Sequence, residues 1–251
     1  FGSQTTIVIQ PVYSATSTCI NNSTDYVWAH KFSYFSNVTN SWRNYNINPL
    51  KSLKPGVFQG NTGDARIGSI GVIAHESIHS FGLPDLYDTD GEGAGMGKIA
   101  VMAAGSHGNS NTGSGWLPSF ATGWSRMELS QYFHTNVIDI TQDTFDLKLS
   151  PIHVENKMYR IPHPDPQTDD YWLIEFRSDR GVNNFDRLIP ESGLSISHIA
   201  DNLDHHHPND DSKPPARRGE SGYGVSLEQK DGKFESQHGS TTINNDLYTT
   251  G

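Results

Sequence analysis

The sequence predicts an α/β (mixed α+β) domain with a β-rich C-terminal region, and three observations carry that reading. A single strong helical periodicity, Ile67 to Phe81, stands in the first half of the chain. Short runs that alternate or are β-branched flank it, most of them beyond Tyr132. The 11 Phe, 10 Tyr and 5 Trp are scattered over all 251 residues, enough for the sizeable core of one large domain.

Taken in order, Thr5 to Val12 (TTIVIQPV) is β-branched and roughly alternating, which reads as a strand. Tyr26 to Phe35 (YVWAHKFSYF) repeats near period two as a second strand. Ser36 to Arg66 is rich in Asn, Ser and Gly and broken by Pro49 and Pro55, so it reads as a loop. Ile67, Ile70, Ile73, Ile78 and Phe81 then recur at spacings of three and five, with Val72 and Ala74 adding helix-compatible bulk. Gly82 ends that helix as a residue free to turn left-handed, and Pro84 prevents its renewal. A Gly- and Asp-rich loop follows from Asp85 to Lys98, and Pro118 to Leu129 reads as a second helix with Pro118 in its first turn. Beyond Tyr132, segments 137–140, 145–149, 158–161, 171–177, 193–199 and 222–228 read as short strands between turn residues.

A net charge of −10 and a pI near 5.5 argue against nucleic acid or an anionic membrane as partner. No apolar run approaches the roughly 18–20 residues of a membrane span. The single cysteine, Cys19, cannot form an internal disulfide, which excludes a disulfide-stapled fold but not secretion. The chain begins Phe-Gly-Ser with no signal peptide in view, so it is expected to be a processed form or a piece of a longer precursor. Asn21, Asn22 and Asn37 stand in N-x-S/T triplets, which point towards secretion although a polar sequence also produces them by chance.

The chemistry concentrates in His75-Glu76-Ser77-Ile78-His79, an H-E-x-x-H inside the predicted helix. A separation of four puts both imidazoles on one helix face, one turn apart, where their nitrogens can converge on one Zn²⁺. Glu76 then points beside the metal, where a general base for the metal-activated water belongs. Six residues after His79, past Gly82, lies Asp85, giving HESIHSFGLPD. The glycine lets the chain turn off the helix so that this carboxylate can return as a third ligand. Glu92 and Glu128 are weaker candidates for that role, one in a glycine-rich loop and one needing a fortunate fold. The ordinary alternative is two packed histidines with Glu76 exposed, and the intact motif with its glycine stop outweighs it. Met102, in Ala-Val-Met-Ala-Ala-Gly, fits the buried Met-turn that underlies the metal in zincins of the extended-motif type, as support and not as a ligand.

HESIHSFGLPDLYDTDG, VMAAGS, LPSFATGWSRMEL, YWLIEFRS and SGLSISHI, in that order, resemble the immune inhibitor A family of secreted zinc metallopeptidases. The likeness runs from about Trp28 to the C-terminus. It implies a zincin/metzincin-like endopeptidase with His75, His79 and Asp85 as zinc ligands and Glu76 as general base. It also implies secretion, protein or peptide substrates, further domains of a longer precursor, and calcium as a common companion ion. Residues 1–133 would be the catalytic core with zinc helix and Met-turn, and 134–251 a β-rich region completing or packing on it. The sequence departs from many metzincins in lacking a tyrosine just after the Met-turn methionine; Tyr87 is one candidate for that role.

The remaining candidates have plainer readings beside the functional ones. Asp88-Thr89-Asp90-Gly91-Glu92 offers hard oxygen donors for calcium but lacks the full calcium-loop pattern, and acidic surface loops are commoner. Asp201, Asp204, Asp210 and Asp211 around His205-His206-His207 read as a solvated loop before a second metal site. His198 reads as a hydrogen-bonded strand histidine, His107 as a residue near the Met-turn, and Trp116, Trp124 and Trp172 as packing residues. The expected function is therefore zinc-dependent peptide hydrolysis. A non-catalytic zinc-containing adhesion or binding module, and a zinc hydrolase of non-peptide substrates, stand as alternatives.

Overall fold

The structure, a computed structural model, describes residues 6–9, 30–47, 51–53, 65–67, 70–89, 93–108, 116–181, 185–189, 191–200, 208–209, 223–232 and 246–249. By internal packing the chain divides into two compact units, Phe1–Gly82 and Leu83–Gly251.

In the first unit, β1 (Thr6–Ile9), β2 (His30–Ser36) and β3 (Ser41–Ile47) form a sheet in the order β1-β3-β2. β3 runs parallel to β1 and antiparallel to β2. A second, two-stranded ladder pairs β4 (Lys51–Leu53) with β5 (Ala65–Ile67) antiparallel. The stretch from Ser36 to Arg66, expected as a loop, therefore carries two strands and most of a third. Trp42, Tyr45 and Ile47 are strand-favouring side chains hidden among asparagines whose turn preference dominates a local reading. Pairing on both sides of β3 satisfies its backbone groups and overrides that local composition. The asparagines are placed by type as well: Asn40, in the turn between β2 and β3, has φ 48, a left-handed conformation that asparagine tolerates.

Helix α1 (Ile70–His79) lies against β2 and β3. It starts three residues later than the periodicity predicts, because Ile67 closes β5 opposite Lys51. Its buried face is not the isoleucine stripe. Gly71, His75 and Glu76 are buried, while Ile70 and Phe81 are 50% and 53% exposed. The helix ends two residues before the predicted Phe81, and a tightened turn carries the chain on to the expected glycine. The N–H groups of Ser80, Phe81 and Gly82 each donate three residues back, to Ser77, Ile78 and His79, at 3.0, 2.9 and 3.0 Å. Gly82 follows at φ +100, a conformation that a side chain would strain.

The second unit is built on a five-stranded sheet, ordered β10-β9-β8-β7-β6: β6 (Asn136–Asp139), β7 (Lys157–Pro162), β8 (Tyr171–Arg177), β9 (Gly193–Ile199) and β10 (Val225–Leu227). β6 and β7 are parallel and the other pairings antiparallel. β8 and β9 occupy the ranges that alternation gives. The strand expected at 145–149 is absent, because Asp146 adopts φ 58 and breaks the extended run, leaving Phe145 86% exposed. On the buried face of β8 and β9 lie Leu173, Glu175, Arg177, Ser195, Ser197 and Ile199, so this face is polar as well as apolar.

Helix α2 (Gly123–Glu128) packs against β8 and β9 and is followed by the short α3 (Ser130–Phe133). The helix expected from Pro118 thus begins five residues later. Thr122 is its cap, its hydroxyl accepting from the Ser125 N–H at 3.3 Å. The preceding residues are committed elsewhere: the Ser119 N–H donates to the Gly105 carbonyl and the Phe120 N–H to the Asp186 carboxylate. Trp124 is buried as expected, whereas Trp116 is half exposed and packs no core.

Candidate metal centre

Within the short run 75–85 the structure brings together three side chains of metal-binding type. One helical turn separates His75 from His79, and their rings meet edge to face with centroids 4.8 Å apart at 86°. The turn at Gly82 then carries the chain to Asp85. Each of His75, His79 and Asp85 offers one ligand atom, and these atoms all lie within 4.8 Å of one another. Glu76, adjacent to the first histidine, is buried at 8% exposure. A donor set of two imidazoles and one carboxylate suits a first-row transition ion; calcium and magnesium take oxygen donors.

The segment that carries Asp85 has almost no regular structure, yet most of it is buried. Leu86, immediately after Asp85, donates its N–H to the Met102 carbonyl at 2.7 Å and accepts from the Met96 N–H at 2.8 Å. Met102 is fully buried in a turn closed by the Ala103 N–H donating to the Ala100 carbonyl at 3.0 Å. The methionine expected as a Met-turn thus stands hydrogen-bonded beside the Asp85 neighbour. Val101 continues the contact by donating to the Phe120 carbonyl at 3.3 Å.

Behind this turn lies a buried ion cluster on the sheet face. Arg177 and Asp186 are fully buried and joined by a two-pronged pair, Nε to Oδ2 at 2.6 Å and Nη2 to Oδ1 at 2.7 Å. Nη1 reaches Glu175 at 3.2 Å, and Nη2 also donates to the Ile99 carbonyl at 2.9 Å. Asp186 Oδ1 accepts from the Phe120 N–H at 2.9 Å as well. Burial works against the guanidinium charge, but Asp186 and Glu175 overcome it and hold the Arg177 pKa above its ordinary value. One ion cluster therefore fixes both Ile99 and Phe120, the chain on either side of the Met102 turn. Nearby Arg126 is buried too, and its pKa is lowered, first by that burial, with Glu175 opposing.

The other candidates take plainer places. Asp88 is buried, with Oδ2 accepting from the Gly93 N–H at 2.7 Å and the Tyr223 hydroxyl at 3.2 Å, so this acid serves the protein's own donors. Asp90, Gly91 and Glu92 lie outside the described residues, as do Cys19, Asp201, Asp204, His205 to His207, Asp210 and Asp211. Tyr87 is 39% exposed, and Glu128 is exposed at the end of α2. His107 is exposed beside the Ser106 hydroxyl. His198 faces Asp170 at 3.3 Å and stacks on Trp172, whose other face meets His163. It is the hydrogen-bonded strand histidine that the sequence reading favoured. Among the described residues, no cluster suited to calcium accompanies the His75–His79–Asp85 grouping. Sequence reasoning missed Arg177, Asp186, Asn209 and Tyr223 around the Asp85 segment, because no spacing links residues so far apart in the chain.

Residues 12–133 match the family model described as immune inhibitor A peptidase M6, catalytic domain. No curated protein matches the chain. No helix among the described residues is long and apolar enough to cross a membrane.

Proposed function

Through its segment 12–133 the chain belongs to the immune inhibitor A-like family of metallopeptidases, and on that premise we propose that it is a secreted, zinc-dependent endopeptidase. The observation that carries the proposal is the grouping of His75, His79 and Asp85 ligand atoms within 4.8 Å, with Glu76 buried next to the first histidine. When bound there, zinc supplies a Lewis acid that polarises the scissile carbonyl and lowers the pKa of a water towards about 7.

The chain's own residues divide the rest of the work. His75 and His79, through one ring nitrogen each, and Asp85, through a carboxylate oxygen, would hold the ion. Glu76 takes up the proton that the attacking water loses and returns it to the departing amine nitrogen. On this reading Met102 is a supporting residue and not a ligand. On the same reading the substrates are proteins or peptides, and residues 134–251 complete or pack on the catalytic core of 1–133.

The test is cleavage of casein by the full chain with and without a zinc chelator, alongside Glu76→Gln. The expected outcome is chelator-sensitive cleavage that falls by at least about 10²-fold in kcat in Glu76→Gln, with zinc content unchanged. Turnover near wild type in that variant would remove Glu76 from the mechanism. A folded, zinc-loaded chain that cleaves nothing would favour a binding module.

A further inference from the structure

The segment 83–96 is tied to residues more than a hundred positions downstream, and both ties bear on the residues around Asp85. Asn209, 1% exposed, uses both ends of its carboxamide. Its Nδ2 donates to the Leu86 carbonyl at 2.8 Å, and its Oδ1 accepts at 3.0 Å from the N–H of Val225, the first residue of β10. These partners fix the amide orientation, because one is a pure acceptor and the other a pure donor. The Leu86 carbonyl is thereby held twice, by Asn209 and by the Met96 N–H.

The second tie is two residues beyond Leu86. The Tyr223 hydroxyl donates to Asp88 Oδ2 at 3.2 Å, and the same oxygen accepts from the Gly93 N–H at 2.7 Å, so Asp88 joins Gly93 and the tyrosine. Tyr223 is 2% exposed. A Cβ at position 93 would stand 1.6 Å from the Tyr223 hydroxyl oxygen, so any larger residue there would have to displace the tyrosine from Asp88. Residues 209 and 223–225 thus grip the segment at two points, immediately after Asp85 and three residues after it.

We propose that Asn209 and Tyr223 are positioning residues for Asp85, holding its carboxylate at the reach the metal site requires. The proposal rests on the reading of Asp85 as a metal ligand. Residues that fix a ligand's backbone govern affinity because a free carboxylate must otherwise be ordered when the ion binds. It also gives residues beyond the matched segment 12–133 a role in the metal centre.

The experiment uses the full chain as wild type, Asn209→Asp, Tyr223→Phe and Asp85→Ala. Asn209→Asp keeps the acceptor for Val225 and loses the donor to Leu86; Tyr223→Phe removes one oxygen and keeps the ring. Zinc affinity is measured by competition with a chromophoric chelator, and the visible absorption of the Co²⁺-loaded protein reports the ligand set. Each positioning variant is expected to bind zinc about tenfold more weakly, with a Co²⁺ spectrum shifted towards that of Asp85→Ala. A purely structural role would lower the unfolding midpoint while leaving affinity and spectrum at wild-type values in the folded protein, and that result overturns the proposal. If Asn209→Asp does not fold, Tyr223→Phe decides alone. If Asp85→Ala itself binds like wild type, Asp85 is not a ligand, and the proposal falls with that reading.

Discussion

Helix α1 and the segment 83–103 place side chains by opposite means. In α1 the spacing of His75, Glu76 and His79 is a property of the helix: a rise of about 1.5 Å and a rotation of about 100° per residue fix which groups share a face. Among the described residues of 83–103 only the short 3-10 turn Gly97–Ile99 is regular, and it does not carry Asp85. Leu86 is held by Met96, Met102 and Asn209, Asp88 by Gly93 and Tyr223, and Ile99 by Arg177. The first arrangement is robust to changes elsewhere, whereas the second depends on buried polar groups each of which must stay paired. A helix sets the spacing of His75 and His79 by itself, but Asp85, outside it, must be fixed by the tertiary fold.

The strongest way to break that comparison is Asp186→Ala. Removing this carboxylate leaves Arg177 charged and buried, and takes the acceptor from the Phe120 N–H. We expect a loss of about 3–5 kcal/mol, read as the shift in urea unfolding. A loss below 1 kcal/mol would mean that the Met102 turn does not depend on the ion cluster.

The corresponding change on the helical side is Gly82→Ala. Its cost is confined to backbone strain at φ +100, since a Cβ there meets nothing within 4 Å. The expected destabilisation is about 1–2 kcal/mol, measured the same way. A value exceeding that of Asp186→Ala would invert the ranking of the two regions.

Asp139→Asn sharpens the point on a two-pronged pair that lies at the surface. Arg160 grips Asp139 in the same two-pronged manner, at 2.5 and 2.9 Å, but the side chains are 38% and 44% exposed. Solvent screening limits the expected loss to about 0.2–1 kcal/mol, shrinking further in high salt. The Arg160 hydrogen bonds hold the Asp139 carboxyl below its ordinary range. Its contribution is therefore fully present above the unfolded carboxylate pKa, near pH 4, and is lost as the pH falls through the lower folded value. A wild-type minus Asp139→Asn stability difference that grows on acidification would contradict that sign.

Legibility followed the range of the interactions. The H-E-x-x-H helix, its glycine stop and Asp85 at the right offset are all readable because helix geometry and left-handed glycine act over a few residues. Strands β8 and β9 are readable for the same reason: alternation is local. Ser36–Arg66 misled because asparagine-rich composition outweighed Trp42, Tyr45 and Ile47, and only pairing with β1 and β2 decides that β3 is a strand. Pro118–Thr122 misled because its backbone groups bond to Gly105 and Asp186, partners with no trace in the local sequence.

By itself, then, the sequence determined the donor types of the His75–His79–Asp85 grouping, the spacing of the two histidines on one helix face, and the glycine turn that follows the helix. Tertiary structure alone decided how the carboxylate-bearing loop is held, through Asn209, Tyr223 and the Arg177–Asp186 cluster. The physical reason is that a helix closes its own hydrogen bonds within four residues, while an irregular buried segment must borrow its partners from wherever the fold brings them.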